Sequence, residues 1–169
     1  MRDIQDAPMI LEVGDHINPV EKGLGCIMEM VSWLNGDEVV TDKPNCVEEQ
    51  VAMFMWNIND KGLLKYGIPA RGGDGSPRSY RAADAHQVAE LTRLGLKVMG
   101  KSGPYTVSDG IKLYHHISAT ARTIVKTSKT FDEMIALADR YLDNILIDYS
   151  PHGEEVREPR SGQLEGEKV

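Results

Sequence analysis

Apolar residues recur along this chain at helical intervals, and five segments carry that period. In the first, Leu24, Ile27, Met28, Val31 and Leu34 form one wide face, Cys26, Met30 and Trp33 extend it, and Gly36 ends it. Asn18 can cap this helix, Pro19 suits its first position and Glu21 falls at N3. Gly23 and Gly25 weaken the opening turn, so the firm helix is expected from Leu24. Glu21, Gly25, Glu29, Ser32 and Gly36 share the remaining stripe, where Glu29 either faces water or accepts from loop N–H groups such as those of Thr41 and Asp42.

The second helix opens after Pro44 with Asn45 as its cap and Cys46 in its first position, carries Val47, Val51, Phe54, Met55 and Ile58 inward, and stops around 59–62. A third runs from about Arg81 to Met99, with Ala85, Val88, Leu91 or Thr92, Leu94 and Val98 inside and Gly100 as its stop. A fourth follows Ser108 with Leu113, Tyr114, Ile117, Ala121, Ile124 and Val125. The fifth begins at a Thr130/Glu133 capping box and buries Met134, Leu137, Ala138, Tyr141, Leu142 and Ile145.

These elements predict an all-α protein, an irregular bundle of about five helices in a single domain over 18–150. Residues 1–17 read as an extended arm in which 9–13 has strand character without an evident partner. Residues 61–80, rich in glycine, proline and serine, read as an irregular loop. The segment 151–169 has almost no large apolar residue and reads as a disordered, acidic tail.

Composition narrows the partners. A net charge of −7 argues against a protein that coats duplex DNA, because phosphate neutralisation needs clustered Lys and Arg. From Asp60 to Arg81 the sign inverts locally: Lys61, Lys65, Arg71, Arg78 and Arg81 face only Asp60 and Asp74. Arg71, Arg78 and Arg81 are therefore candidate anion- or partner-binding residues, with Tyr66 and Tyr80 placed to stack on a base. The stretch lacks the spacing of a phosphate loop, and no strand is expected before it. No signal peptide and no membrane-length apolar run is expected, which places the protein in the cytoplasm, the host's if it is phage-encoded.

Only two cysteines are present, Cys26 and Cys46, too few for a disulfide scaffold. With Glu29 and Asp42 they could meet across a helix hairpin, making Glu29, Asp42 and Cys46 the candidate catalytic residues. Each cysteine is solitary, whereas structural zinc sites use paired Cys or His ligands, so no metal and no cofactor are expected. A helix N-terminus would lower the Cys46 thiol pKa, with His115 or His116 as base and Asp109 or Asp139 to orient it. Buried free thiols acting as small apolar residues are the competing account of both cysteines.

The run from Cys26 to Cys46 resembles a group of small uncharacterised proteins from actinobacteria and their phages, whose pattern is C-x-M-E-x-V-S-x-x-x-G, a spacer, then [ST]-D-x-P-x-C. Cys26, Met28, Glu29, Val31, Ser32, Gly36, Thr41, Asp42, Pro44 and Cys46 match it. Relatives often carry proline soon after the second cysteine, where this chain has Val47, Glu48 and Glu49. The resemblance implies that 26–46 is one structural unit and that the source is an actinobacterium or its phage. It carries no activity.

The sequence thus favours a small non-enzymatic helical protein, a phage or actinobacterial accessory factor acting through protein–protein contact, with homo-oligomerisation compatible and membrane association not expected. Two alternatives stay open. One is a hydrolase or nucleotide-modifying enzyme around Glu29, Asp42 and Cys46, and the other is a nucleic-acid binder using the Arg71–Arg81 stretch.

Overall fold

A computed structural model describes residues 1–14, 16–71, 76–102 and 110–148 of the chain. Six helices dominate it: α1 (Pro19–Lys22), α2 (Ile27–Asn35), α3 (Glu49–Tyr66), α4 (Ala85–Val98), α5 (Gly110–Thr127) and α6 (Phe131–Ile145). The protein is a mostly helical, irregular bundle, as the apolar period predicts, with three two-stranded ladders added. The expected tail at 151–169 lies outside the described residues.

At the centre is α2, buried from Ile27 to Leu34 on every side. A helix apolar nearly all round belongs inside a fold, and even the polar Glu29 and Ser32 are enclosed here, leaving only Asn35 at its end exposed. Helices α3 and α4 pack on it. Gly95 of α4 allows the close approach: a Cβ there would stand 2.9 Å from Val31 Cγ2 and 3.0 Å from Ile27 Cδ1. Helix α3 lies along α5 and buries Val51, Phe54, Met55 and Ile58 as its spacing predicts. Met134, Ala138, Leu142 and Ile145 do the same for α6, and the rings of Phe54 and Tyr141 stack 4.8 Å apart. Each such fully buried side chain contributes roughly 1.5–3 kcal/mol relative to exposure. On α4, Leu91, Thr92, Leu94 and Val98 point inward, but Ala85 is exposed.

The N-terminal third departs from expectation. Asn18 does not cap: it adopts a left-handed φ of 54° with no side-chain cap bond, and Gly23 at φ 67° ends α1 after one turn. The chain then forms β2 (Leu24–Gly25), which pairs in parallel with β1 (Ile10–Leu11). The strand character of 9–13 finds its partner inside what reads as helix. Residues 9–12 consequently belong to the packed body, while 1–6 lie exposed on its surface. Met9, Leu11 and Glu12 are buried, the Glu12 N–H donates to the Gly25 carbonyl, and the Ala83 N–H donates to that of Leu11.

Two further boundaries move. Helix α3 begins at Glu49 with Glu48, not Asn45, in the cap position. Asn45 and Cys46 form a turn instead, followed by extended residues 47–48, with Gly100 N–H on the Cys46 carbonyl and Glu48 N–H on that of Lys101, which begins β5 (Lys101–Ser102) beside β6 (Ile147–Asp148). The stretch 61–80 is not one irregular loop. Residues 61–66 continue α3, and β3 (Ile68–Arg71) pairs antiparallel with β4 (Pro77–Ala82). Gly67 makes the turn, since a Cβ there would lie 2.5 Å from the Leu63 carbonyl oxygen. Proline is tolerated in both strands because a two-stranded ladder has only edges.

Candidate functional site

Cys26 precedes α2 in extended conformation and stands at its N-cap. Three residues on, Glu29 reaches back so that its Oε2 accepts the Cys26 N–H at 2.7 Å, half of a capping box with cysteine in the usual serine place. The same carboxylate holds a second segment. His16 donates its backbone N–H to Oε1 at 2.9 Å, and its Nδ1 lies 2.9 Å from Oε2. His16 Nε2 stands 4.0 Å from the buried Glu12 carboxylate. Next to it, the Asp60 Oδ1 accepts from Gly14 N–H and from Asn59 Nδ2, both at 2.9 Å, and Asn59 also donates to the Glu12 carbonyl. Glu12, His16, Glu29, Asn59 and Asp60 thus form a polar knot that ties Glu12, Gly14 and His16 to α2 and α3.

Glu29 is 1% exposed, so it does not face water, and its bonds go to Cys26 and His16 rather than to the 41–46 loop. That loop is fastened one turn further along. Ser32 Oγ donates to Asp37 Oδ2 at 2.6 Å and accepts the Thr41 N–H at 3.1 Å. Buried hydroxyls and carboxylates are retained where such bonds compensate their desolvation.

Of the candidate catalytic residues, Glu29 keeps company with Cys26 and His16, and its own bonds reach neither Asp42 nor Cys46. Burial pushes the Cys26 thiol well above its ordinary pKa, and the Glu29 charge adds to this. Burial likewise raises the half-buried Cys46 thiol, with Asp37 contributing. The expected activation of Cys46 fails because the helix begins three positions later. Both cysteines are free. His116 is exposed, the His115 side chain and Asp109 lie outside the described portions, and Asp139 is engaged by Arg93 and Lys97. Among the described residues no group of three or more His, Cys, Asp or Glu is arranged to hold a metal ion, and no helix is long and apolar enough to cross a membrane.

Arg71 and Arg78 are carried on the β3–β4 hairpin, and Arg81 pairs across it with Pro69. The Tyr66 hydroxyl donates to the Ser128 carbonyl at 2.7 Å, and its ring meets Phe131 edge-on with Lys65 Nζ 4.9 Å from its centre.

Sequence reasoning missed two grooves that share the 37–43 loop as a wall. The larger is open and about 520 Å³, with Trp33, Val20, Val39 and Val40 among its apolar lining and Arg2, Glu21 and Glu38 at its edge. Arg2 places its guanidinium 5.2 Å from the centre of the Trp33 ring. The smaller, about 270 Å³, is lined by Trp56, Met53 and Ala52 with Asp42, Lys43 and Glu49. There Lys43 Nζ stands 6.0 Å over the Trp56 ring and 3.2 Å from Glu49. Val39 and Ile17 are both 78% exposed. The only signal in the sequence was a pair of valines, Val39 and Val40, in a link that otherwise reads as polar. Compared with protein families, with curated proteins and with solved structures, the chain has no match in any of the three.

Proposed function

We propose that the chain is a non-enzymatic helical protein that acts by binding another protein. The observation that carries this reading is the exposure of Val20 and Val39, which line an open groove together with Trp33. Contiguous apolar surface rimmed by charge is what a protein-binding face presents, whereas single exposed apolar residues need no explanation.

The residues that would carry chemistry support the same reading. Glu29 is occupied by the backbone N–H groups of His16 and Cys26 and by the His16 ring, and both thiols are shifted away from the reactive thiolate. Neither groove is lined by His16, Cys26 or Glu29. The resemblance of residues 26–46 to actinobacterial and phage proteins supports an accessory factor of such a source, with 26–46 as its structural signature.

The test is affinity capture of the tagged full chain from its source cells beside a Val20→Asp/Val39→Asp variant with unchanged circular dichroism. A stoichiometric protein captured by the first and lost by the second is the expected result. Equal capture by both, or no stoichiometric protein with either, contradicts the reading.

A further inference from the structure

The Trp33 groove has a charge as well as an apolar floor. Glu21 and Glu38 stand exposed at its edge, and among the described residues neither makes a hydrogen bond or ion pair. Asp37, also at the edge, is already engaged by Ser32 and Asn35. The one cation at the groove, Arg2, lies over the Trp33 ring rather than against a carboxylate. An indole face favours a cation within about 6 Å of its centre, and guanidinium stacks on it best.

The neighbouring groove repeats the arrangement. Lys43 lies over Trp56 with Glu49 as its counter-ion, so each tryptophan of the chain sits beneath a basic side chain next to carboxylates. Both cations are exposed and attached to loops or the N-terminal segment, where displacement costs little packing.

Resting on the protein-binding reading above, we propose that the Trp33 groove docks a partner segment that combines an apolar anchor with arginine or lysine. The anchor fills the space between Val20 and Val39, and the partner's cation pairs with Glu21 and Glu38 and takes the ring face from Arg2. Arg2 is the chain's own stand-in for that cation. Complementary charge of this kind fixes the register and the association rate, while the apolar anchor supplies most of the affinity.

The test follows the Trp33 indole N–H by NMR in the labelled full chain at low salt. One probe is a synthetic peptide of alternating leucine and arginine, and the other has glutamate in place of arginine. The arginine peptide is expected to shift the Trp33 signal saturably and the glutamate peptide to leave it unmoved. Arg2→Ala should tighten arginine-peptide binding roughly two- to fivefold by removing the competing cation. Glu38→Lys should weaken it. A Trp33 signal that neither wild type nor Arg2→Ala shifts, or that both peptides shift alike, overturns the proposal. If cells yield a partner sensitive to Val39 while the peptides behave alike, the basic chemistry is wrong and the protein-binding reading stands.

Discussion

The Glu29 carboxylate bonds the backbone N–H groups of Cys26 and His16 and the His16 ring, so it closes the first turn of α2 and anchors His16 to it. Removing one side of such a buried set leaves the others unsatisfied, and that penalty exceeds the worth of any single bond. Glu29→Ala is therefore expected to destabilise the fold by on the order of 3–5 kcal/mol, read from urea or thermal unfolding. Glu29→Gln keeps one acceptor and should cost about half as much. Wild-type stability in Glu29→Ala would show that the knot is dispensable. The role of Glu29 was only partly legible in the sequence. Its spacing from Cys26 is that of a capping box, but cysteine is an unusual cap, and the second tie comes from His16, which no helical period connects to it. The sequence points to the Thr41 N–H as a donor to this stripe of α2, but the acceptor is Ser32, one turn beyond Glu29.

Between elements, α4 and α6 are clamped by charge. Arg93 bonds Asp139 Oδ2 at 2.8 Å, and Lys97 bonds both Asp139 and Asp143. Partial burial alone would raise the Asp139 pKa, but the bonds from Lys97 and Arg93 outweigh it and hold the carboxyl below the usual Asp range. A folded-state pKa depressed in this way gives stability that is present above the unfolded value, about 3.9, and is lost as pH falls through the folded value. Asp139→Asn is thus expected to flatten the acid limb of the stability–pH curve below about pH 4 while changing stability at neutral pH by about 1 kcal/mol or less. An acid limb identical to wild type contradicts that assignment. The helices themselves were legible where a long stripe met a clean cap, as in α6, where Thr130 Oγ1 accepts the Glu133 N–H. What failed were two-residue strands and starts set by distant chain. The β1–β2 pair is too short to show alternation, and α3 is delayed by contacts of 46–48 with residues near 101. Prolines at 69 and 77 made the β3–β4 hairpin read as loop.

At the scale of the molecule, the buried polar residues Glu12, Glu29, Ser32 and Asn59 hold the N-terminal segment and the 37–43 loop against α2 and α3. The loop so held separates two grooves, each with a tryptophan under a basic side chain. A groove whose wall is fastened by the Ser32 bonds loses less entropy on binding than a disordered loop would, which suits it to recognising a partner. The most direct measurement is photo-crosslinking in the source cells from a reactive residue placed at position 39, with position 96 as the control. Val39 borders the Trp33 groove, and Leu96 is exposed on α4 away from it, 41% accessible. The account predicts a discrete protein adduct from position 39 and none from position 96. No adduct from position 39, or the same adduct from both positions, would contradict it.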